Sequence, residues 1–492
     1  MTFITRCLFA FLILLCISQS SCRNQGDKET SAEKGKAENQ NPGDTHPIKI
    51  VILDDDLGNY IALKNKISRE FGNLELGKVQ WLVKTSDEFF TAPEQGDLLF
   101  YPPHVFGELV QKNLIKSIPD YIVESEPYQK SDVYKNQRRT FGVHNKTLYG
   151  LSLGVSSFSL LVNKAALAKH GIDVPTTWSE YRLACLTLAT QRKNGELEEV
   201  QPGQTWSPTI EPTKGNWLAA TFMARAGAYV RTRGKYSVMF DYSSWKPIIQ
   251  SAPFVSTLND LISAFELMDI KHQNLSPREV ELAFLRGECF MAITWPHPPS
   301  IEEQDLRENV SASAVFPLPG SESKYDASAG KWVAAQNAEK HVAFLGAGGL
   351  CGSVLNSSEQ SGVATRRLGL LAGKEFSSLT GTVNSESGVP YRASHVSKIE
   401  SWISASYPSP FAESLATVTE KQNQAPLWMI RSRVDQSRKY ESTLASAIRD
   451  AMKKEETAES VLNRLQKEWM EINKSVDTDF QKQISLEGLG VK

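Results

Sequence analysis

Between Thr147 and Trp178 the chain reads TLYGLSLGVSSFSLLVNKAALAKHGIDVPTTW, and no other stretch restricts the fold as much. After the Tyr149-Gly150 turn, Leu151 to Gly154 alternates large apolar with small residues. Phe158, Leu160, Leu161 and Val162 then form a short apolar run of the kind that fills a buried strand. Ala165 to Lys169 predicts a short helix ending at His170-Gly171, with the glycine as its C-cap. Val174-Pro175 restarts the chain in extended form, because proline disfavours helix in the residue before it. Thr177 stands three residues before Glu180, the spacing of a capping box, and predicts a helix from Trp178 to about Arg192. Strands and helices taken in alternation imply an α/β body.

That order resembles the family 1 extracellular solute-binding proteins, the ligand receptors of ABC importers for sugars and related solutes. LYGLSLGVSSFSLLVNKAAL and GIDVPTTWSEY carry the likeness. In that family the matching strand crosses from one lobe to the other and lines the cleft between them. Further units resemble the family in turn. They are Gly96 to His104 with its tail Asn113 to Pro119, the helix–Gly–strand–aromatic run Glu279 to Pro296, and the proline-bearing strand Val315 to Gly320. His341 to Leu355 resembles the return crossing, Gly388 to Ser394 the later Gly–x–Pro–x–Arg segment, and Glu459 to Ile472 with Trp469 the terminal helix. The likeness runs from about residue 48 to 475 and is weakest from 195 to 275. It implies a two-lobed, periplasmic-binding-protein-like α/β fold, each lobe a mostly parallel sheet flanked by helices, with interwoven crossover strands. Residues 47–154 and 350–392 would form the first lobe, and 155–349 and 393–492 the second. Gly154, Gly346 and the region of Tyr391 would take up the hinge motion.

The N-terminus reads as an address. Arg6 precedes an apolar run from Cys7 to Ile17, too short to span a bilayer, and Ser18 to Ser21 lead to Cys22. Residues 1–22 are therefore expected to be a secretory signal peptide. Cys22 after a small residue resembles a bacterial lipoprotein cleavage site, although Gln19 stands where that pattern has Leu, Val or Ile. Lipidation of Cys22 would anchor the protein on the periplasmic side of a bacterial envelope; ordinary cleavage with an unmodified Cys22 is the alternative. Residues 23–46, rich in Lys, Glu, Asn and Gly, read as a solvated tether. Cys185, Cys289 and Cys351 then remain in the body, without metal-ligand spacing. Core packing is the default for the first two, and a disulfide between two of the three stays open.

A formal net charge of −2 and no strongly basic stripe give no reason to expect a nucleic-acid partner. Arg431–Arg433 and Lys453–Lys454 read as solvated helix faces. Elsewhere, Ile48 to Leu53 and Gly77 to Val83 predict strands, and Tyr60 to Phe71 a helix. Asn194 to Asn216 predicts loop, Trp217 to Arg225 helix, and Gly227 to Phe240 a hairpin turning near Gly234. Pro253 to Met268, Arg438 to Ala451 and Glu459 to Ile472 show helical apolar spacing.

Sugars are held by aromatic faces against the ring and by carboxylates, amides or imidazoles on the hydroxyls. By position in the resemblance, the candidate ligand contacts are Tyr101 and His104 from the first lobe and Ser156 and Ser157 at the crossing. Trp295 and Trp428 come from the second lobe, Trp217 and Glu211 follow, and Asp55 reaches the mouth. No catalytic residue, cofactor or metal site is expected; the acids Asp54 to Asp56 lack the closing Glu of a calcium loop. Gly346 to Cys351 fails as a dinucleotide loop, because Cys351 occupies the third glycine position. The expected function is therefore a monomeric receptor that captures a small solute, a sugar first, and delivers it to the membrane subunits of an ABC permease. Two readings from other classes stand beside it. One is an envelope sensor or scaffold of the same fold that takes no part in transport. The other is a serine hydrolase: Gly150 to Gly154 matches the nucleophile-elbow pattern around Ser152, which requires a helix directly after the serine.

Overall fold

The computed structural model describes residues 47–491 apart from 56–59, 199, 202, 296–309, 378–389, 404–406 and 454–455. Cys22 and the residues read as a leader and tether (1–46) lie outside the described residues, as do Pro296 and Gly388.

β1 (Ile48–Leu53) is apolar at every position but Lys49, as befits a strand covered on both faces. β2 (Val79–Lys84) and β3 (Leu98–Tyr101) pair parallel with it on either side. Parallel neighbours need a crossover, and the helix Ile61–Asn73 supplies the one between β1 and β2. A small hairpin, β4 (Val143–His144) and β5 (Thr147–Leu148), precedes β6 (Leu151–Ser156). β7 (Ser159–Asn163) follows after only Ser157 and Phe158. Next come β8 (Ser207–Ile210), β9 (Cys289–Thr294) and β10 (Ser313–Phe316), then an outer hairpin of β11 (Ser323–Asp326) and β12 (Lys331–Ala334). β13 (Ala343–Leu345), β14 (Gly348–Val354) and β15 (Trp428–Ile430) complete the set.

Two sheets result, one per lobe: β2-β1-β3-β14-β6 and β10-β7-β9-β8. β6 belongs to the first and β7 to the second, so the chain crosses at Ser157-Phe158 and returns through Gly346-Ala347 into β14. Gly346 has φ +63, and a Cβ there would lie 2.6 Å from the Phe141 ring, so glycine is required both by conformation and by space.

The pairing is less parallel than expected. In the first sheet β14 runs antiparallel to both its neighbours, β3 and β6, and in the second only β8 runs parallel to its neighbour. β14, which brings the chain back into the first sheet, runs against β6, by which the chain left it. β8 lies inside the segment read as loop. It is an edge strand, and an edge tolerates Pro208. The expected hairpin from Gly227 is not formed; the helix Trp217–Val230 runs through Gly227, whose bare Cα faces Met429 Sδ. Arg431 and Arg433 are buried, not solvated: Arg431 pairs with Glu441, and Arg433 donates to the Thr140 carbonyl. Lys453 is exposed as expected. Cys185, Cys289 and Cys351 are free thiols in the core. β6 continues past Ser152 to Ser156, so no helix follows that serine and the elbow geometry is absent. Among the described residues no helix is long and apolar enough to cross a membrane.

Candidate functional site

A cleft of about 780 Å³ opens between the two sheets. Its first wall is built where β1, β2 and β3 end, the carboxyl edge at which open α/β sheets place their ligands. Asp54 and Asp55 follow β1, Asp87 opens the helix Ser86–Thr91 after β2, and His104 and Glu108 lie beyond β3. The opposite wall carries Lys214 and Trp217 at the start of the helix Trp217–Val230, Arg278 at the start of Pro277–Leu285, and Trp295 after β9. Arg431, Arg438 and Lys439 close it from the end of β15 and the helix Ser437–Met452. Gly348 and Gly349 of β14 form the floor.

The aromatic part of the cleft is held rigidly. The rings of Trp217 and Trp295 lie 5.4 Å apart at 59°, and Phe158 backs Trp295 at 5.5 Å. Arg431 stacks its guanidinium over Trp217 at 5.1 Å, while Nε donates to Glu441 at 3.1 Å and Nη1 to the Ala347 carbonyl at 3.3 Å. A cation fixed on one face of an indole orients the ring at little entropic cost. Gly348 allows this, since a Cβ there would come within 2.7 Å of the Trp295 ring.

The polar part is equally constrained. Asp55 accepts from the Ser86 amide at 2.7 Å and from its hydroxyl at 2.8 Å, tying the end of β1 to the helix that follows β2. His104 is buried, 3.5 Å from Arg431 Nη2 through Nε2. Burial first, then the positive charges of Arg431 and Arg438, push its pKa well below the usual histidine value, so it is neutral at physiological pH. Burial raises the Glu108 carboxyl, against the opposing pull of Arg438. Among the described residues no cluster of His, Cys, Asp and Glu is arranged to hold a metal.

Residues 77–345, more than half of the 492-residue chain, match the family of bacterial extracellular solute-binding proteins. The protein belongs to that family. Solved structures agree on the fold. An ABC transporter solute-binding protein from Agrobacterium radiobacter K84, in complex with ribitol, superposes with a TM-score of 0.68 at 14% identity, covering 87% of this chain and 99% of its own. A solute-binding protein from Agrobacterium vitis S4 with bound D-mannitol gives 0.62 at 13%, covering 87% and 99%. Maltose-bound MalE3 of T. maritima gives 0.61 at 15%, covering 86% and 99%. No curated protein matches the sequence.

Of the positions singled out in this solute-binding protein by sequence, the cleft gathers Asp55, His104, Trp217 and Trp295. The other five do not line it. Tyr101 is fully buried, its hydroxyl 2.8 Å from Ser353 Oγ beneath the cleft floor. Ser156 and Ser157 are enclosed where β6 passes into β7. Trp428 donates from Nε1 to the Gly488 carbonyl at 3.2 Å, against the C-terminal helix Thr478–Gly488. Glu211 is wholly buried and paired with Arg225, whose Nε lies 2.9 Å from Oε2. Asp87, Glu108, Lys214, Arg278, Arg431, Arg438 and Lys439 also line the cleft and were not singled out by sequence. For Arg431 the available signal was its place at a strand end directly after Trp428-Met429-Ile430, although the Arg431–Arg433 charge cluster read as a solvated face.

Proposed function

We propose that this protein is the receptor of an ABC importer, binding a carbohydrate or polyol in the cleft between its lobes and handing it to membrane permease subunits. The observation that carries the reading is the Trp217–Trp295 platform, braced by Arg431 and facing carboxylates and a neutral imidazole. Such a surface offers an apolar ring face and fixed hydrogen-bonding groups at once, which a polyhydroxylated solute can use together. The ribitol, D-mannitol and maltose carried by the fold relatives support the same ligand class. The site is one of binding and not of covalent chemistry, with Asp55, His104, Trp217, Trp295 and Arg431 as contacts. On this reading the lobes are residues 47–154 with 350–392, and 155–349 with 393–492, turning about Gly154, Gly346 and Tyr391. The protein is exported by residues 1–22, held at the membrane through lipid on Cys22, and works as a monomer.

Isothermal calorimetry against ribitol, D-mannitol, maltose and a panel of related sugars tests the assignment. At least one is expected to bind, and Trp217→Ala to weaken it by at least about tenfold, as loss of a central aromatic contact does. Heat signals absent across the whole panel would overturn the carbohydrate assignment.

A further inference from the structure

The cleft walls carry opposite charge: every lining carboxylate comes from the first-sheet side, and every lining lysine or arginine from the other. At one point the walls already meet. Arg438 belongs to the helix Ser437–Met452, which packs along Trp217–Val230, Ala252–Glu266 and Ala458–Asn473. The groups that hold its guanidinium come from the opposite lobe. Nε and Nη2 donate to Glu108 at 3.1 and 3.0 Å, Nη1 pairs with Asp87, and the plane lies 4.4 Å from the Phe90 ring.

Immediately before Arg438, the start of that helix and the segment leading into it also press on the first lobe. Ser437 Oγ donates to the His104 carbonyl at 2.8 Å, and Gly107 has no room for a Cβ beside the Arg433 carbonyl. The Gly107–Arg433 approach is set by close packing. Arg438 stands just beyond it, inside the cleft, where a charge-assisted bond changes length as the walls part. Glu108 is almost fully buried and Asp87 almost fully exposed, at 3% and 90%. The Glu108 arm therefore carries most of the strength and the Asp87 arm is screened by solvent.

We propose that Arg438 is a tie between the lobes that sets how far the cleft stands open before a solute enters. It is a positioning residue, acting on the angle between the walls. The idea rests on the reading that the two walls close over a solute, but its test needs none. Small-angle X-ray scattering on the protein without added sugar reads the lobe separation directly. Arg438→Gln is expected to raise the radius of gyration, with Asp87→Asn raising it less and in the same direction. Asp87→Asn alters only an exposed carboxylate and keeps the comparison valid should Arg438→Gln fold poorly. Scattering curves identical for wild type and both folded variants would overturn the tie. Calorimetry with D-mannitol and maltose is scored separately, so an absent solute response counts against the carbohydrate reading and not against the tie.

Discussion

Lys324 offers a stability test with a sign fixed by pH. It sits on β11, only 1% exposed, and its Nζ has no hydrogen-bond partner among the described residues. Burial lowers its pKa from 10.5 to about 8, with Glu339 opposing and Arg231 adding to the shift. In the unfolded chain the amine keeps its ordinary value, so between pH 8 and 10.5 the unfolded state binds more protons and stability rises with pH. Below about pH 8 the full cost of housing the charge is present. A displacement of two to three pKa units corresponds to about 3 kcal/mol. Lys324→Met keeps the length of the side chain and removes the charge. At pH 7 it is expected to raise the unfolding free energy by about 2–3 kcal/mol, or roughly 2–3 °C in a body of this size. By pH 10.5 the gap should have nearly closed, because the amine is then neutral in the folded protein and already half neutral in the unfolded chain. Urea unfolding followed by tryptophan fluorescence at pH 7, 8.5 and 10 measures the gap. A gap that is absent at pH 7, or that stays constant across the series, would refute the argument.

Two further outcomes separate scaffold from site. Glu211→Gln leaves Arg225 charged and buried without its carboxylate, and should cost about 3–5 kcal/mol in denaturant unfolding with solute affinity unchanged. Gly348→Ala places a Cβ 2.7 Å from the Trp295 ring, so calorimetry should show solute binding weakened at least about tenfold while the circular dichroism spectrum stays native.

What the sequence disclosed was what local rules govern. The apolar run at β1, the Thr177–Glu180 capping box and the periodic helices near the C-terminus emerged where period and cap chemistry placed them. Gly227 misled because a glycine can mark a turn or a close approach, and only the position of Met429, two hundred residues away, decides between them. Pro208 misled in the same way: it argues against a strand unless that strand is an edge, which depends on the sheet around it. The site divided along the same line. Trp217 and Trp295, named by position in the resemblance, stand at a helix start and a strand end that open onto the cleft. Tyr101 and Trp428 have the same chemistry but face inward, and nothing local distinguishes them. Glu211 looked like a loop carboxylate until Arg225 was brought beside it by the fold. Arg431 was assigned to solvent because its partner Glu441 lies on the following helix, a pairing that tertiary structure creates.

The interleaving of the first sheet also bears on how the chain is made. β14 lies between β3 and β6, so both of those strands wait for residues 348–354 before their inner edges are covered. A ribosome delivering the chain from its N-terminus exposes Leu98 to Tyr101, an apolar edge, long before its neighbour emerges. No early fragment can complete a lobe, and contacts this far apart in sequence form slowly. For a member of an extracellular family, a first half that cannot close by itself is a first half that stays unfolded until the second has been made.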